Sequence, residues 1–476
     1  MSTSQTAEHS ELKRSLSHGQ MTMIAMGLAL GTGLFLGSGA AIGIAGPGVI
    51  ISYAIGSLIA AIIVACAGEM AIRHPVPGGF GTISTRYLNP YAGYLGRWAY
   101  WAATVPLAGA ELIAVGEYMG YWYPHVDLWV WAVIFGVMIV MLNIISVRSF
   151  GSTETILSAI KVGAVLLFIV IGGIFVIFGL PGQGAHGVEY LTNDGGFLPN
   201  GVSSIWVSMA VVMFSFGGIE MISLSAAEAK DPDRSVSTSV KGMIVRLSSF
   251  YVLSMLVILC LVPWRQAAES GKALTASPFV TVFSQVGIPG AAGIINFVVF
   301  IAALSGANAA LYAATRLLHA LAQDGMAPRA LAKTSKTGVP VGALTVSSVG
   351  VVVAIVLALG GLKNIFALFM GLVTLSILIV WVMILLTYLS FKKMHPVADG
   401  FQVLGGRVTA CIALAGVLAT FAAMFVVDDT TLNSVLFGLG FFALITVAYF
   451  VVAKRNGGFK AADLEALAQQ EEDTKA

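Results

Sequence analysis

Residues 21–42 read MTMIAMGLALGTGLFLGSGAAI, an uncharged run interrupted by glycine at Gly27, Gly31, Gly33, Gly37 and Gly39. It is long enough to cross a bilayer, since about 20 helical residues span roughly 30 Å of hydrocarbon. Each interior glycine nevertheless costs a helix about 1 kcal/mol relative to alanine. Broken backbone at membrane depth survives only where the freed N–H and C=O groups face protein or a water-filled cavity. The half-helix ends made by such a break attract a carboxylate and a cation. Two readings of Gly31-Thr32-Gly33 stay open at this point. One is an unwound cradle for a charged ligand; the other is close helix packing, because Gly27/Gly31 and Gly33/Gly37 have small-xxx-small spacing.

Working outward, the 476 residues are 58% hydrophobic and only 10% charged, against about 25% charged in a soluble domain. The chain is therefore an all-α polytopic membrane protein in which the bilayer itself is a partner. A net charge of +2 gives no reason to expect nucleic acid. Cys66, Cys260 and Cys411 form no CxxC or CxxH pair, so neither a metal nor a disulfide is expected. The first residues are polar and mixed in charge and read as a soluble tail rather than a cleaved signal peptide.

Apolar stretches of spanning length fall at 20–42, 47–70, 97–122, 126–147, 155–180, 202–226, 244–264, 288–318, 340–359, 364–389, 407–427 and 431–453. Twelve spans put both termini on one side. Of the 25 lysines and arginines, Arg265, Lys272 and Lys363 fall in alternate loops and Lys161 inside a span. All the others lie in the tails, in the remaining loops or in the span ends that border them, which makes both ends cytoplasmic by the positive-inside rule. Residues 75–97, rich in Pro, Gly and Tyr, read as an interfacial segment with tyrosines at headgroup depth, and 181–201 as a flexible external loop.

The sixth span repeats the anomaly of the first. Met213-Phe214-Ser215-Phe216-Gly217-Gly218-Ile219-Glu220 breaks an apolar run with adjacent glycines, followed at once by a carboxylate. Glycine-interrupted segments in corresponding positions of two halves point to a transporter's midplane site. Breaks five spans apart suggest two inverted five-helix repeats, 20–180 and 202–389, with 407–453 as two further spans and tails at 1–19 and 454–476. This second break favours the cradle reading of Gly31-Thr32-Gly33.

Ionisable residues inside spans are functional candidates, each costing about 2.5–3.5 kcal/mol or more at a helix centre. Lys161 lies about 10 Å into the fifth span, as a proton-coupling site or as a snorkelling side chain. Glu111 in the third span is the better cavity candidate, and Glu117 lies near the aromatic cluster Tyr118, Tyr121, Trp122, Tyr123. Glu220 is expected to hold the broken sixth helix through freed N–H groups or to bind a proton. Glu69 and Glu228 read as gate or loop anchors, and Glu154 as a charge at a helix N-terminus.

These motifs together resemble a bacterial amino acid permease of the amino acid–polyamine–organocation superfamily, most like the branch holding aromatic, proline, lysine and GABA permeases. The matching residues are Met23-Ile24-Ala25-Met26-Gly27 running into Gly31-Thr32-Gly33-Leu34-Phe35, then Gly46-Pro47-Gly48, Gly68-Glu69-Met70, Pro77-Gly78-Gly79-Phe80 and Trp98-Ala99-Tyr100-Trp101. Phe214 to Glu220, Ala227-Glu228-Ala229-Lys230-Asp231-Pro232, Asn308-Ala309-Ala310-Leu311-Tyr312 and Asp324-Gly325-Met326-Ala327-Pro328 follow in order. The resemblance covers roughly residues 11 to 455.

It implies a LeuT-type fold, two inverted five-helix repeats plus two helices. It also implies that N–H groups of Thr32 and Gly33 hold a substrate α-carboxylate. Carbonyls of Ala29, Leu30, Phe214, Ser215 and Phe216 would hold the α-ammonium, with Phe216 covering the substrate. Lys161 falls where proton-coupled relatives replace a sodium ion, Glu220 matches an acidic residue important to transport, and Glu111 the acidic position of the aromatic-type third span. The chain departs from the pattern at Gly27-Leu28, where relatives have paired glycines, and at Leu30, where they have a β-branched residue.

The expected function is import of an amino acid by proton symport and alternating access, in a bacterial inner membrane, with the proton as coupling ion and no cofactor. Sodium symport, exchange, a GABA or cationic substrate, and a receptor or channel are the rivals. No GxxxxGK[ST] is present, and the histidines show no catalytic clustering, so an enzyme is not expected. Apart from Glu111, no acidic pair is dedicated to a cationic side chain, which favours a neutral aliphatic or aromatic substrate.

Overall fold

The computed structural model describes residues 30–76, 78–145, 150–179, 184, 187–226, 232–272, 277–285, 290–335, 338–396 and 400–456. Ala29, the Gly27-Leu28 departure, Glu228, the N-terminal tail and residues 457–476 lie outside the described residues. A π-helical turn, Gly33–Gly37, leads into α1 (Ser38–Ala45), and a 3-10 turn at Gly46–Gly48 joins it to α2 (Val49–Arg73). Then come α3 (Phe80–Tyr87), α4 (Pro90–Gly120), α5 (Leu128–Ile145) and α6 (Phe150–Phe178). The second break separates α7 (Ser203–Val212) from α8 (Met221–Ser225), and α9 (Pro232–Leu261), α10 (Trp264–Lys272) and α11 (Pro278–Gln285) follow. The last helices are α12 (Ala291–Gln323), α13 (Val341–Ser347), α14 (Val349–Leu359), α15 (Ile365–Met394), α16 (Gly406–Ala423) and α17 (Asp429–Asn456). Ten of the described helical runs are long and apolar enough to cross a membrane, with Gly33–Arg73 as one of them and Leu128–Ile144 a shorter apolar helix. The chain is a multi-pass membrane protein.

Helix α4 is the most buried of the long rods, packed against α12, α15, α14 and α5. Small residues let those backbones meet: a Cβ on Gly350 of α14 would lie 2.1 Å from the Val105 carbonyl oxygen, and one on Gly109 would lie 2.8 Å from the Gly350 carbonyl oxygen. Other pairings include α1 with α7, α2 with α9, α6 with both α9 and α12, and α15 with α2.

Helix α4 begins at Pro90 rather than near residue 97, because Asn89 caps it: its side chain accepts from Ala92 N at 2.9 Å, with proline in the first turn. Residues 90–97, read as part of an interfacial segment, are thus helical, and Tyr87 and Tyr94 are buried within the protein. Arg97 is buried as well, bonded to Asp324 and, at 2.5 Å, to Thr82 Oγ1. Glu69 is an anchor: it accepts from Tyr388 Oη at 2.8 Å, Lys392 Nζ at 2.6 Å and Val403 N at 2.8 Å. The expected external loop is also packed where described. Pro199 and Leu198 fill the space over Gly46 and Gly48, and Asn200 donates to the Ile44 carbonyl at 2.8 Å.

Gly350→Ala should therefore cost about 1–3 kcal/mol of packing strain and lower the melting temperature of the purified protein. Gly440→Ala, where a Cβ meets nothing within 4 Å, should leave it unchanged or slightly raised; equal behaviour of the two variants would contradict the α4–α14 contact.

Candidate functional site

The first break starts at Leu30 and Thr32, both buried. Leu34 N closes a loose turn on the Gly31 carbonyl at 3.3 Å. Next come the π-helical residues Gly33–Gly37, a widened turn that frees backbone groups from the ordinary ladder. The second break runs from a 3-10 turn at Met213–Phe216 into Gly217, which is extended at ψ 143, and Gly218, at φ 99. Glycine is needed at Gly218, since a side chain is strained at that φ. At Gly217 a Cβ would lie 2.5 Å from Ile377 Cδ1.

The two breaks touch. A Cβ on Gly33 would lie 2.6 Å from Ser215 Cα, so backbone meets backbone at the centre of the site. Around that contact, Tyr251 Oη donates to the Ser215 carbonyl at 2.5 Å and Tyr53 Oη pairs with Ser215 Oγ at 3.4 Å. Phe216 stands edge-on to Tyr251 at 4.6 Å between centroids, and Phe214 edge-on to Phe366 at 5.9 Å. Ser277 donates to the Phe35 carbonyl, tying the π-helical turn to the segment that opens α11. The Ser215 carbonyl keeps one lone pair for a further donor, since a carbonyl oxygen accepts twice.

Glu111 projects from α4 into this site. Its Oε1 accepts from Thr32 N at 3.3 Å, while Oε2 and the Thr32 hydroxyl are buried with no hydrogen-bond partner among the described residues. The carboxylate lies flat against Gly306 of α12, where a Cβ would come within 2.8 Å of Glu111 Cδ. Glu220 sits at the far end of the second break: Oε1 accepts from Gly218 N at 3.0 Å and Oε2 from Trp381 Nε1 at 3.2 Å. Glu117 is half-buried, further along α4.

Lys161 does not snorkel. Its side chain is 0% exposed and its ammonium lies 3.5 Å from Glu154 Oε1. Ser305 of α12 donates to that carboxylate, at 3.0 Å and 2.9 Å from its two oxygens, and Ser158 lies 3.4 Å away. Glu154, read from the sequence as a charge at a helix N-terminus, is thus a buried partner of Lys161. The error came from starting the span at 155, whereas α6 starts at Phe150. Spacings of four and three residues through Ser158 put Glu154 and Lys161 on one face, a signal present in the sequence. Tyr53, Tyr251 and Trp381 carried no such signal, being aromatic residues inside apolar runs.

Leu30, Thr32, Gly33, Phe214, Ser215, Phe216 and Glu111 are therefore gathered in one buried region, with Glu220 on its flank. No group of three or more metal-ligating side chains occurs among the described residues.

Residues 20–462 match the family model for amino acid permeases. The chain is 40% identical over 387 residues to the aromatic amino acid transport protein AroP of Escherichia coli K12, covering 81% of this chain and 83% of that protein. It is 36% identical over 389 residues to the amino-acid permease RocE of Bacillus subtilis, covering 81% and 82%. With the uncharacterized amino acid permease YtnA of the same organism, it shares 38% over 384 residues, covering 80% and 82%.

If Glu154 neutralises Lys161, Glu154→Ala should cost about 3–5 kcal/mol by leaving a buried ammonium without that carboxylate. The double variant Glu154→Ala/Lys161→Ala should recover part of the loss in thermal unfolding of the purified protein. Strictly additive losses would show that the two side chains are not coupled.

Proposed function

This chain belongs to the amino acid permease family, and we propose on that footing that it imports a neutral amino acid across a bacterial inner membrane by proton symport. The observation that carries the reading is the backbone contact of the two breaks at Gly33 and Ser215. It puts the freed N–H groups of one half-helix and the freed carbonyls of the other around a single point, which suits a zwitterion. On this reading Thr32 N and Gly33 N receive the α-carboxylate, and carbonyls of Ala29, Leu30, Phe214, Ser215 and Phe216 the α-ammonium. An aromatic side chain is favoured by the ring set Phe214, Phe216, Phe366, Tyr53 and Tyr251. It is favoured too by similarity to a protein named for aromatic amino acid transport.

The architecture proposed is twelve spans, reached by dividing Gly33–Arg73 at the Gly46–Gly48 turn and adding Leu128–Ile144 to the other apolar helices. Inverted five-span repeats are supported by the way the pairings map onto themselves when each helix is exchanged for its counterpart: α2–α15 onto α9–α6, α4–α15 onto α12–α6, and α4–α5 onto α12–α13. The distribution of lysine and arginine supports cytoplasmic termini. Alternating access then rocks one group of helices about the central contact. Lys161, paired with Glu154 on the same face of α6, and Glu220, bridging Gly218 to Trp381, are the proton-coupling candidates.

In proteoliposomes, labelled L-phenylalanine should exchange by counterflow and accumulate under an imposed inward proton gradient without sodium. Lys161→Ala should reduce the gradient-driven accumulation to background. Unimpaired accumulation in that variant would remove Lys161 from the coupling, and a strict sodium requirement would replace the proton as the coupling ion.

A further inference from the structure

We propose that Glu111 is a built-in stand-in for the substrate's carboxylate, holding the Thr32 N–H when the site is empty and giving it up, protonated, when substrate binds. The inference rests on the transport reading above and adds to it a position for the proton in the loaded state.

The argument begins with what Thr32 N is bonded to. A freed N–H at the start of a half-helix is a good anion site, and here it is already taken by a carboxyl oxygen, Glu111 Oε1 at 3.3 Å. A substrate carboxylate needs that same donor. Two ionised carboxylates within hydrogen-bond reach of one N–H repel strongly in a buried site. One of them must therefore be neutral, and the substrate's carboxylate is the more acidic of the two in solution. Glu111 accordingly takes one proton from water on the entry side, forming its O–H bond, while the Thr32 N–H bond passes from Glu111 to the substrate. On the exit side the substrate leaves, the O–H bond breaks, the proton is released and Glu111 again accepts from Thr32 N.

The surroundings fit both states. Glu111 Oε2 and the Thr32 hydroxyl, both buried, make no hydrogen bond of ordinary geometry among the described residues, although the Thr32 side chain does act on the Glu111 carboxyl group. Gly306 gives the carboxylate room to lie against α12. The charged and titratable groups around it are few. Lys161, paired with Glu154 on α6, acts on Glu111 electrostatically, and Tyr118 and Glu117 follow it on α4. From α12 the neighbours are the uncharged Gly306 and Ser305, the latter engaged with Glu154.

The test is binding of tritiated L-phenylalanine to the purified full-length protein between pH 6 and pH 8, with counterflow in proteoliposomes. Wild type should bind about tenfold more weakly for each pH unit above the point where Glu111 ionises, the slope of one proton taken up per substrate. Glu111→Gln, which cannot ionise, should bind independently of pH and at least as tightly as wild type at pH 6. It should retain counterflow and lose accumulation under a proton gradient. A wild-type affinity without pH dependence would overturn the proposal. So would a Glu111→Gln variant that keeps the wild-type slope, or one that elutes and melts like wild type yet binds at no pH. If wild type neither binds nor exchanges any standard amino acid, the transport reading itself fails and takes this inference with it.

Discussion

The structure depends on one close approach, the backbone of Gly33 against the backbone of Ser215. Each interrupted helix is unfavourable alone, because its freed N–H and C=O groups have no water to turn to at membrane depth. Side by side they offer those groups to the same space, and the remaining cost is met by hydroxyls from other helices: Tyr251 to the Ser215 carbonyl and Ser277 to the Phe35 carbonyl. A methyl group at residue 33 would separate the two backbones. The rest of the bundle, with α4 packed against α12, α14 and α15, holds them in register.

Around this contact the buried charges fall into two groups with different work. Glu69 with Lys392 and Arg97 with Asp324 tie helix ends together, and both link parts of the chain far apart in sequence. Lys161 with Glu154, and Glu111 on Thr32 N, lie instead within the bundle beside the breaks. A buried charge is tolerated only when paired or hydrogen-bonded, and every one of these carboxylates meets that condition through at least one oxygen. Glu111 meets it through Oε1 on Thr32 N, while Oε2 makes no hydrogen bond of ordinary geometry among the described residues.

Much of this was legible in the sequence because the bilayer imposes a coarse code. Apolar length marks the spans, and glycine inside an apolar run marks the breaks, so the interruptions at Gly31-Thr32-Gly33 and at Phe214–Gly218 are legible without coordinates. What failed were boundaries and partners. Hydropathy placed the third span at residue 97 because the cap at Asn89-Pro90 lies in polar sequence, and the same bias cut Glu154 off from the fifth span. The chain read as a flexible external loop contains Pro199 and Leu198, which pack onto glycines remote in sequence. Tyr53, Tyr251 and Trp381 look like core residues in any one-dimensional reading, and only the crossing of helices shows that their polar tips serve the breaks.

Two consecutive residues of α12 join the two buried carboxylates near the site. Ser305 bonds Glu154, and through it Lys161, while Gly306 receives the face of Glu111. A helix is stiff over so short a distance, so a shift of α12 that loosens one carboxylate must disturb the other. Glu111 in turn is bonded to the first break, which meets the second at Ser215. Movement of α12 relative to the two breaks therefore cannot leave the charges unchanged. A change of protonation at those charges likewise alters which position of α12 is favoured. That reciprocity is what the proton coupling proposed above requires, and on that proposal it would run through neighbouring residues on one rigid rod rather than through a long pathway.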